Sequence, residues 1–230
     1  MKTKAVIFDF DGTLSRGNSG SNSWGRVWKA LDDEETDNKF YQMFARGEID
    51  DPTWNQLIEY RFKELKMPES LLDGLAEKIE LMPGIEKTLK HFSDHGIKVY
   101  VVSGGVKNLI EAKLAPFKKY ITRIEGYQFN FKNGIFCGFE ETKDCLDDKH
   151  KYVDVIRREN AIRADEILFV GNGSNDQTVY LSGARTLCIN PDDADYKNSK
   201  YWNFYIENCG DLFEITQFLN KEKPSPQMQK

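Results

Sequence analysis

Two carboxylates two residues apart, Asp9 and Asp11 in the run AVIFDFDGTLS, stand where the first apolar stretch of the chain ends. A carboxylate attacks phosphorus competently once a metal neutralises the incoming phosphate, and the resulting aspartyl-phosphate is cleaved by water. A second carboxyl beside it protonates the leaving oxygen and then activates the water. The pair therefore points to phosphoryl transfer. The bland alternative is two acidic turn residues after a strand. A calcium loop is excluded, because no Gly and Glu follow at the required spacing.

Three further loops carry matching chemistry. VVSGG offers the Ser103 hydroxyl and the amides of Gly104 and Gly105 just before a helix, a place where an anion can be held. The same residues also suit a plain strand-to-helix turn with Ser as the cap. DDKHKYVDVIRREN sets Lys149 at a helix start, able to neutralise a nucleophile and a transferring phosphoryl, with Lys151 as its competitor. FVGNGSND puts Asn172 and Asp176 after another apolar run, as oxygen donors of the kind Mg²⁺ takes. That string lacks the last glycine of a dinucleotide fingerprint, and its Asn172-Gly173-Ser174 sequon reads as accidental.

Such loops need strands to aim them. Ala5 to Phe8, with β-branched Val6 and Ile7, reads as a strand buried on both faces and ended by Gly12. In an open parallel sheet ligands bind outside the carboxyl ends of the strands, so Asp9 and Asp11 project into that crevice. Amphipathic helical segments follow over Ser23–Leu31, Thr36–Ala45, Pro52–Leu65 and Pro68–Ile79, with no strand among them. An α/β alternation then resumes: a helix from near Pro83, the strand IKVYVVS, a helix over Lys107–Lys113, a helix over Asp148–Glu159, the strand EILFV, a short helix over Asp176–Leu181, the strand TLCIN and an edge strand NFYIE. YQFNFKNGIFCGFE, alternating about Asn133-Gly134, predicts a local hairpin. The expected fold class is α/β, a Rossmann-like doubly wound parallel sheet with a helical cap inserted between its first two strands. The expected division is a core of 1–15 and 81–220, a cap of 16–80 that can serve as a lid, and a flexible tail of 221–230.

The composition agrees with an enzyme of small molecules. A chain of 230 residues, 40% hydrophobic and 13% aromatic, can bury a core. With 32 basic against 37 acidic residues and a net charge of −5, nucleic acid is not an expected partner. An anionic substrate must be drawn in locally. The first strand follows Met1–Lys4 directly and no apolar run matches a membrane span, so a cytoplasmic protein without a membrane partner is expected. Cys137, Cys145, Cys188 and Cys209 lack metal or redox spacing and are expected to be reduced thiols. Oligomeric state is not encoded in any feature of the chain.

Together the four loops resemble the four motifs of the haloacid dehalogenase superfamily, and in particular its phosphoserine-phosphatase-like branch, over residues 4 to 219. The resemblance implies Asp9 as nucleophile, Asp11 as acid/base whose backbone carbonyl also binds Mg²⁺, Ser103 and Gly104 as the phosphate-holding pair, and Lys149 rather than Lys151 as the motif lysine. Asp at position 11 favours phosphatase over dehalogenase chemistry. The metal set implied is Asp9, Asp11, Asn172 and Asp176. Trp54 and Arg61, seven apart on a cap helix, resemble the aromatic and arginine cap contacts, though a Trp in the bundle core and an Arg on its surface would look the same.

Two departures stand beside these matches. The last motif usually begins with an acid where this chain has Asn172, a lost charge that weakens a metal by on the order of 1 kcal/mol and that Asp176 could offset. The stretch SRGNSGSNSW carries no acid to meet a substrate amine, only Arg16, so phosphoserine is one candidate among several. The expectation is a Mg²⁺-dependent phosphomonoester hydrolase of a small phosphorylated metabolite. The alternatives are a non-catalytic phospholigand-binding protein and a phosphotransferase.

Overall fold

The AVIF run forms strand β1, Ala5–Phe8, with all four residues buried. The protein is described here by a computed structural model covering residues 2–17, 22–141, 149–192 and 200–223. Four helices follow β1: α1 Ser23–Ala30, α2 Glu34–Ala45, α3 Asp51–Glu64 and α4 Ser70–Glu77. Asn22 caps α1 by accepting from the Gly25 amide, and Asp50 caps α3 through Thr53, as short polar side chains at helix starts should. Helix α5, Ile85–Asp94, then leads into β2, Lys98–Val106, and α6 spans Lys107–Leu114. Strands β3, Arg123–Lys132, and β4, Ile135–Glu141, form the hairpin. Helix α7, Lys149–Asn160, and strands β5, Ile167–Gly171, β6, Arg185–Ile189, and β7, Phe204–Ile206, complete the sheet.

The strand order is β4-β3-β2-β1-β5-β6-β7, with β3–β4 antiparallel and every other pair parallel. This is the expected α/β architecture, with β1 in the centre and the connections turning to opposite sides from it. Phe8 lies in register with Val101 of β2 and Val170 of β5, so the loops after all three strands open at one edge. The ladder between β2 and β3 shifts between Val102 and Val106, and Ser103–Gly105 bow out there.

The expected boundaries shift in two informative ways. The hairpin is no local ribbon: β3 begins at Arg123 and extends the main sheet beside β2. Its first half carries Arg123 and Glu125, whose polarity hides the strand, yet Glu125 is buried and accepts from the Tyr152 hydroxyl at 2.7 Å. The helix expected over Asp176–Leu181 is a 3₁₀ segment, Ser174–Ser182. Asp148, Cys145 and residues 224–230 of the expected tail lie outside the described residues.

The inserted helices share a core with the sheet rather than standing apart from it. Val27, Trp28, Ile58 and Phe62 belong to one buried cluster with Val101, Phe129 and Phe136. Each such side chain contributes roughly 1.5–3 kcal/mol through area removed from water. Backbone bonds from Glu69 to Gly134 and from Phe136 to Met67 tie the insert to the β3–β4 turn. No helix among the described residues is long and apolar enough to cross a membrane.

The far side of the sheet is closed by Arg185, fully buried, which donates to the carbonyls of Asp165, Phe218, Leu219 and Lys221 and to the Thr3 hydroxyl. One guanidinium thus joins both ends of the described chain to β6. Arg185→Met should lower the unfolding free energy by about 3 kcal/mol or more, because it strands several buried acceptors. Urea denaturation followed by fluorescence would measure this, and a loss under about 1 kcal/mol would show that the carbonyls find other donors.

Candidate active site

Asp9 follows β1 directly, its amide donating to the Val170 carbonyl at 2.9 Å, which fixes the side chain at the sheet edge. The side chain is almost wholly buried, and Lys149 Nζ donates to its Oδ1 at 2.8 Å. The same ammonium lies 2.5 Å from Asp176 Oδ1, and Lys149 itself is fully buried. Burial alone would depress the lysine, but the carboxylates of Asp176 and Asp9 more than reverse it and hold it above its ordinary range. Burial, with Asp176 and Asp11 adding to it, pushes the Asp9 carboxyl up to about 7 against the pull of Lys149. Lys151, the competitor, is exposed on α7.

Asp176 has both oxygens engaged. Oδ1 meets Lys149, and Oδ2 accepts from the amides of Asn172 at 3.0 Å and Gly173 at 3.1 Å. That geometry makes it the anchor of the lysine and of the loop after β5. Asn172 is 3% exposed and accepts at Oδ1 from the Thr13 hydroxyl at 3.1 Å. Gly12, at φ +82°, lets this amide pack against the backbone, since a Cβ there would fall 2.3 Å from Asn172 Nδ2.

Asp11 is held from the inserted helices. Its Oδ2 accepts from Ser23 Oγ at 2.7 Å and from the Ser23 amide at 3.1 Å. Burial raises the Asp11 carboxyl, opposed by those two Ser23 bonds. Ser23 Oγ in turn accepts from the Val106 amide at 2.9 Å, and Trp24 Nε1 donates to the Gly104 carbonyl at 2.8 Å. Ser103 is buried, and its hydroxyl accepts from the Gly105 amide at 3.1 Å. A Cβ on Gly105 would meet Ser23 Oγ at 2.4 Å and Asp11 Oδ2 at 2.7 Å, so glycine is required for this approach.

The structure thus gathers Asp9, Asp11, Ser103, Gly104, Lys149, Asn172 and Asp176 at one sheet edge. Trp54 and Arg61 it does not bring there. Trp54 stacks on Phe44 with ring centroids 4.6 Å apart, and Arg61 is bound at 2.6 Å by Asp33 and by Glu64. Both are spent on packing and pairing within the inserted helices. Sequence reasoning missed Ser23 and Thr13; a serine one residue beyond a helix cap gave no sign of reaching back to Asp11.

The donor set fits a hard divalent cation. Two buried carboxylates, Asp9 and Asp176, share the single ammonium of Lys149, with the Asp11 carboxyl nearby, an imbalance that a cation would relieve. Among the described residues no three His, Cys, Asp or Glu side chains form a metal cluster. A cation would therefore rest on mixed oxygens: the Asp9 carboxylate, the Asp11 carbonyl and Asn172 Oδ1. A crevice of about 250 Å³ beside Gly12, lined by Arg16, Glu80, Asn190 and Asp192, opens next to this edge. A wider depression of about 760 Å³ on α5 lies away from the carboxylates, around Lys87, His91 and Phe213.

The family profile of haloacid dehalogenase-like hydrolases matches residues 6–179, which includes all four loops. The chain belongs to this family. Among sequences of this hydrolase family, it is 25% identical over 184 residues to a phosphoserine phosphatase of Methanocaldococcus jannaschii, covering 78% of this chain and 82% of the relative. It is 24% identical over 176 residues to a phosphoserine phosphatase of Archaeoglobus fulgidus, covering 76% of this chain. The match spans 48% of that second relative, about half its length. A solved phospho-aspartyl intermediate analogue of phosphoserine phosphatase superposes with a TM-score of 0.71 at 22% identity, covering 95% of this chain and 99% of the other.

Lys149→Met should cost about 3–5 kcal/mol of stability, because it leaves two buried carboxylates facing each other without their cation. Chemical denaturation is the measurement. A variant as stable as the parent would show that the ammonium does not hold Asp9 and Asp176.

Proposed function

We propose that this hydrolase releases phosphate from a small phosphorylated metabolite in a Mg²⁺-dependent reaction through an aspartyl-phosphate on Asp9. The observation that carries the reading is the Lys149 ammonium shared by Asp9 and Asp176 beside a second carboxyl, Asp11, and the Ser103–Gly104 turn. With Oδ1 held by Lys149, the second oxygen of Asp9 is the one to attack phosphorus. Ser103 and the neighbouring amides hold the phosphoryl oxygens, and Lys149 offsets their charge. Asp11, aimed by Ser23, gives its proton to the leaving oxygen and later takes one from the attacking water. A Mg²⁺ held by the Asp9 carboxylate, the Asp11 carbonyl and Asn172 would supply further neutralisation of the phosphoryl charge.

In this reading residues 16–80 act as the cap over a core of 1–15 and 81–220, and the setting is the cytoplasm. The named relatives support a phosphomonoesterase. Phosphoserine itself is less supported: the loop after Asp11 carries no acid for an amine, and Arg61 already has two carboxylate partners. A small phosphomonoester recognised mainly through its phosphate is the substrate class this reading favours.

Phosphate release from a panel of phosphorylated metabolites, phosphoserine included, tests the proposal. Release should occur with Mg²⁺, stop with excess EDTA, and fall to background in Asp9→Asn with the fold retained. Metal-independent release, or a fully active Asp9→Asn protein, would remove the mechanism, and no release from any compound would favour a non-catalytic phospholigand-binding protein.

A further inference from the structure

Ser23 and Trp24 are the first two residues of α1, and each bonds a different loop of the catalytic edge. Ser23 holds the Asp11 carboxylate, and Trp24 Nε1 donates to the Gly104 carbonyl at 2.8 Å. In the reaction proposed above, Asp11 protonates the leaving oxygen while Ser103 and its neighbouring amides hold the phosphoryl group. The alcohol therefore departs beside two loops that one turn of α1 touches, and the indole anchored at Gly104 stands within reach of it.

That indole is held fast and left partly open. Tyr127 and Phe139 meet it edge-on, with ring centroids 5.2 and 5.5 Å away, Phe129 lies tilted at 5.3 Å, and Phe62 stacks at 6.4 Å. Phe62, Tyr127 and Phe129 are buried, whereas Trp24 keeps part of its surface in solvent. A ring fixed by its neighbours, with its N–H already bonded, offers its remaining apolar surface to a ligand with little ordering left to do. The charges nearby oppose an amine. The first turn of α1 carries no acid, and Arg26, one turn beyond Ser23, repels an ammonium. Arg61 is already paired with Asp33 and Glu64.

We propose that Trp24 is the wall against which the alcohol portion of the substrate lies, and that the enzyme takes phosphate esters of aromatic alcohols in preference to phosphoserine. The ester is held by its phosphate at Ser103 and Gly104, and its ring packs on the indole. Trp24 thus sets specificity, while Ser23 beside it aims the acid/base. The inference rests on the hydrolase reading above and names its substrate class.

Specificity ratios separate the two. Phosphate release from benzyl phosphate, ethyl phosphate and phosphoserine, with Mg²⁺ present, would be measured for the full-length parent, Trp24→Leu and Trp24→Phe, each checked for folding by circular dichroism. Benzyl and ethyl alcohol are similar leaving groups, so their ratio of kcat/KM reports contact with the ring rather than chemistry. The parent should favour benzyl over ethyl phosphate by about tenfold, and Trp24→Leu should reduce this to about twofold or less. Trp24→Phe, which loses the bond to Gly104 but keeps an aromatic face, should slow both esters and retain most of the preference. A ratio unchanged in Trp24→Leu, a Trp24→Phe protein whose ratio falls as far as that of Trp24→Leu, or a parent that favours phosphoserine would overturn the role of Trp24 and leave the hydrolase in place. No release by the parent from these esters or from an activated aryl phosphate would overturn both.

Discussion

A single buried ammonium organises the catalytic edge. Lys149 is wholly removed from water, and an ammonium so placed survives only where carboxylates and hydrogen bonds repay its lost hydration. Asp9 and Asp176 do so, and in doing so they join three parts of the chain that are far apart in sequence: the end of β1, the loop after β5 and the start of α7. Asp176 in turn organises its own loop through the amides of Asn172 and Gly173. The cost of this arrangement is an Asp9 carboxyl raised by burial, because its charged form is not fully compensated by Lys149.

A second, lighter set of bonds joins the inserted helices to the chemistry. Ser23 touches Asp11 and the Val106 amide, and Trp24 reaches the Gly104 carbonyl. Behind them Trp24 packs against Phe62, Tyr127, Phe129 and Phe139, an aromatic contact surface between insert and sheet. Any opening of the insert would break these polar bonds, and Asp11 would lose its orientation as they break. In the proposed reaction, positioning of Asp11 would thus be coupled to closure of the insert.

The loops were legible in the sequence because each follows a strand buried on both faces, and continuous apolar runs such as AVIF and ILFV announce such strands. Asp9, Asp11, Ser103 and Asn172 could be placed at one edge by that argument alone, whereas Lys149, at a helix start, was singled out from Lys151 only by the family resemblance. Arg61 could not be placed correctly, because nothing local signals that Asp33, 28 residues earlier, would capture it. Ser23 escaped for the same reason: it holds Asp11 through a contact that exists only after distant segments meet. The start of β3 was hidden because Arg123 and Glu125 are satisfied by tertiary pairs, and polarity in sequence looks like exposure until those pairs are known.

The central claim is that Asp9 becomes covalently phosphorylated, and chemical trapping addresses it directly. The protein is mixed with a turned-over phosphate ester and Mg²⁺, quenched, and reduced with borohydride, which converts an acyl phosphate to an alcohol at the modified position. Peptide mass spectrometry should find the reduced residue at position 9. Turnover of the ester with an unmodified Asp9, or with reduction at another carboxylate, would contradict the account.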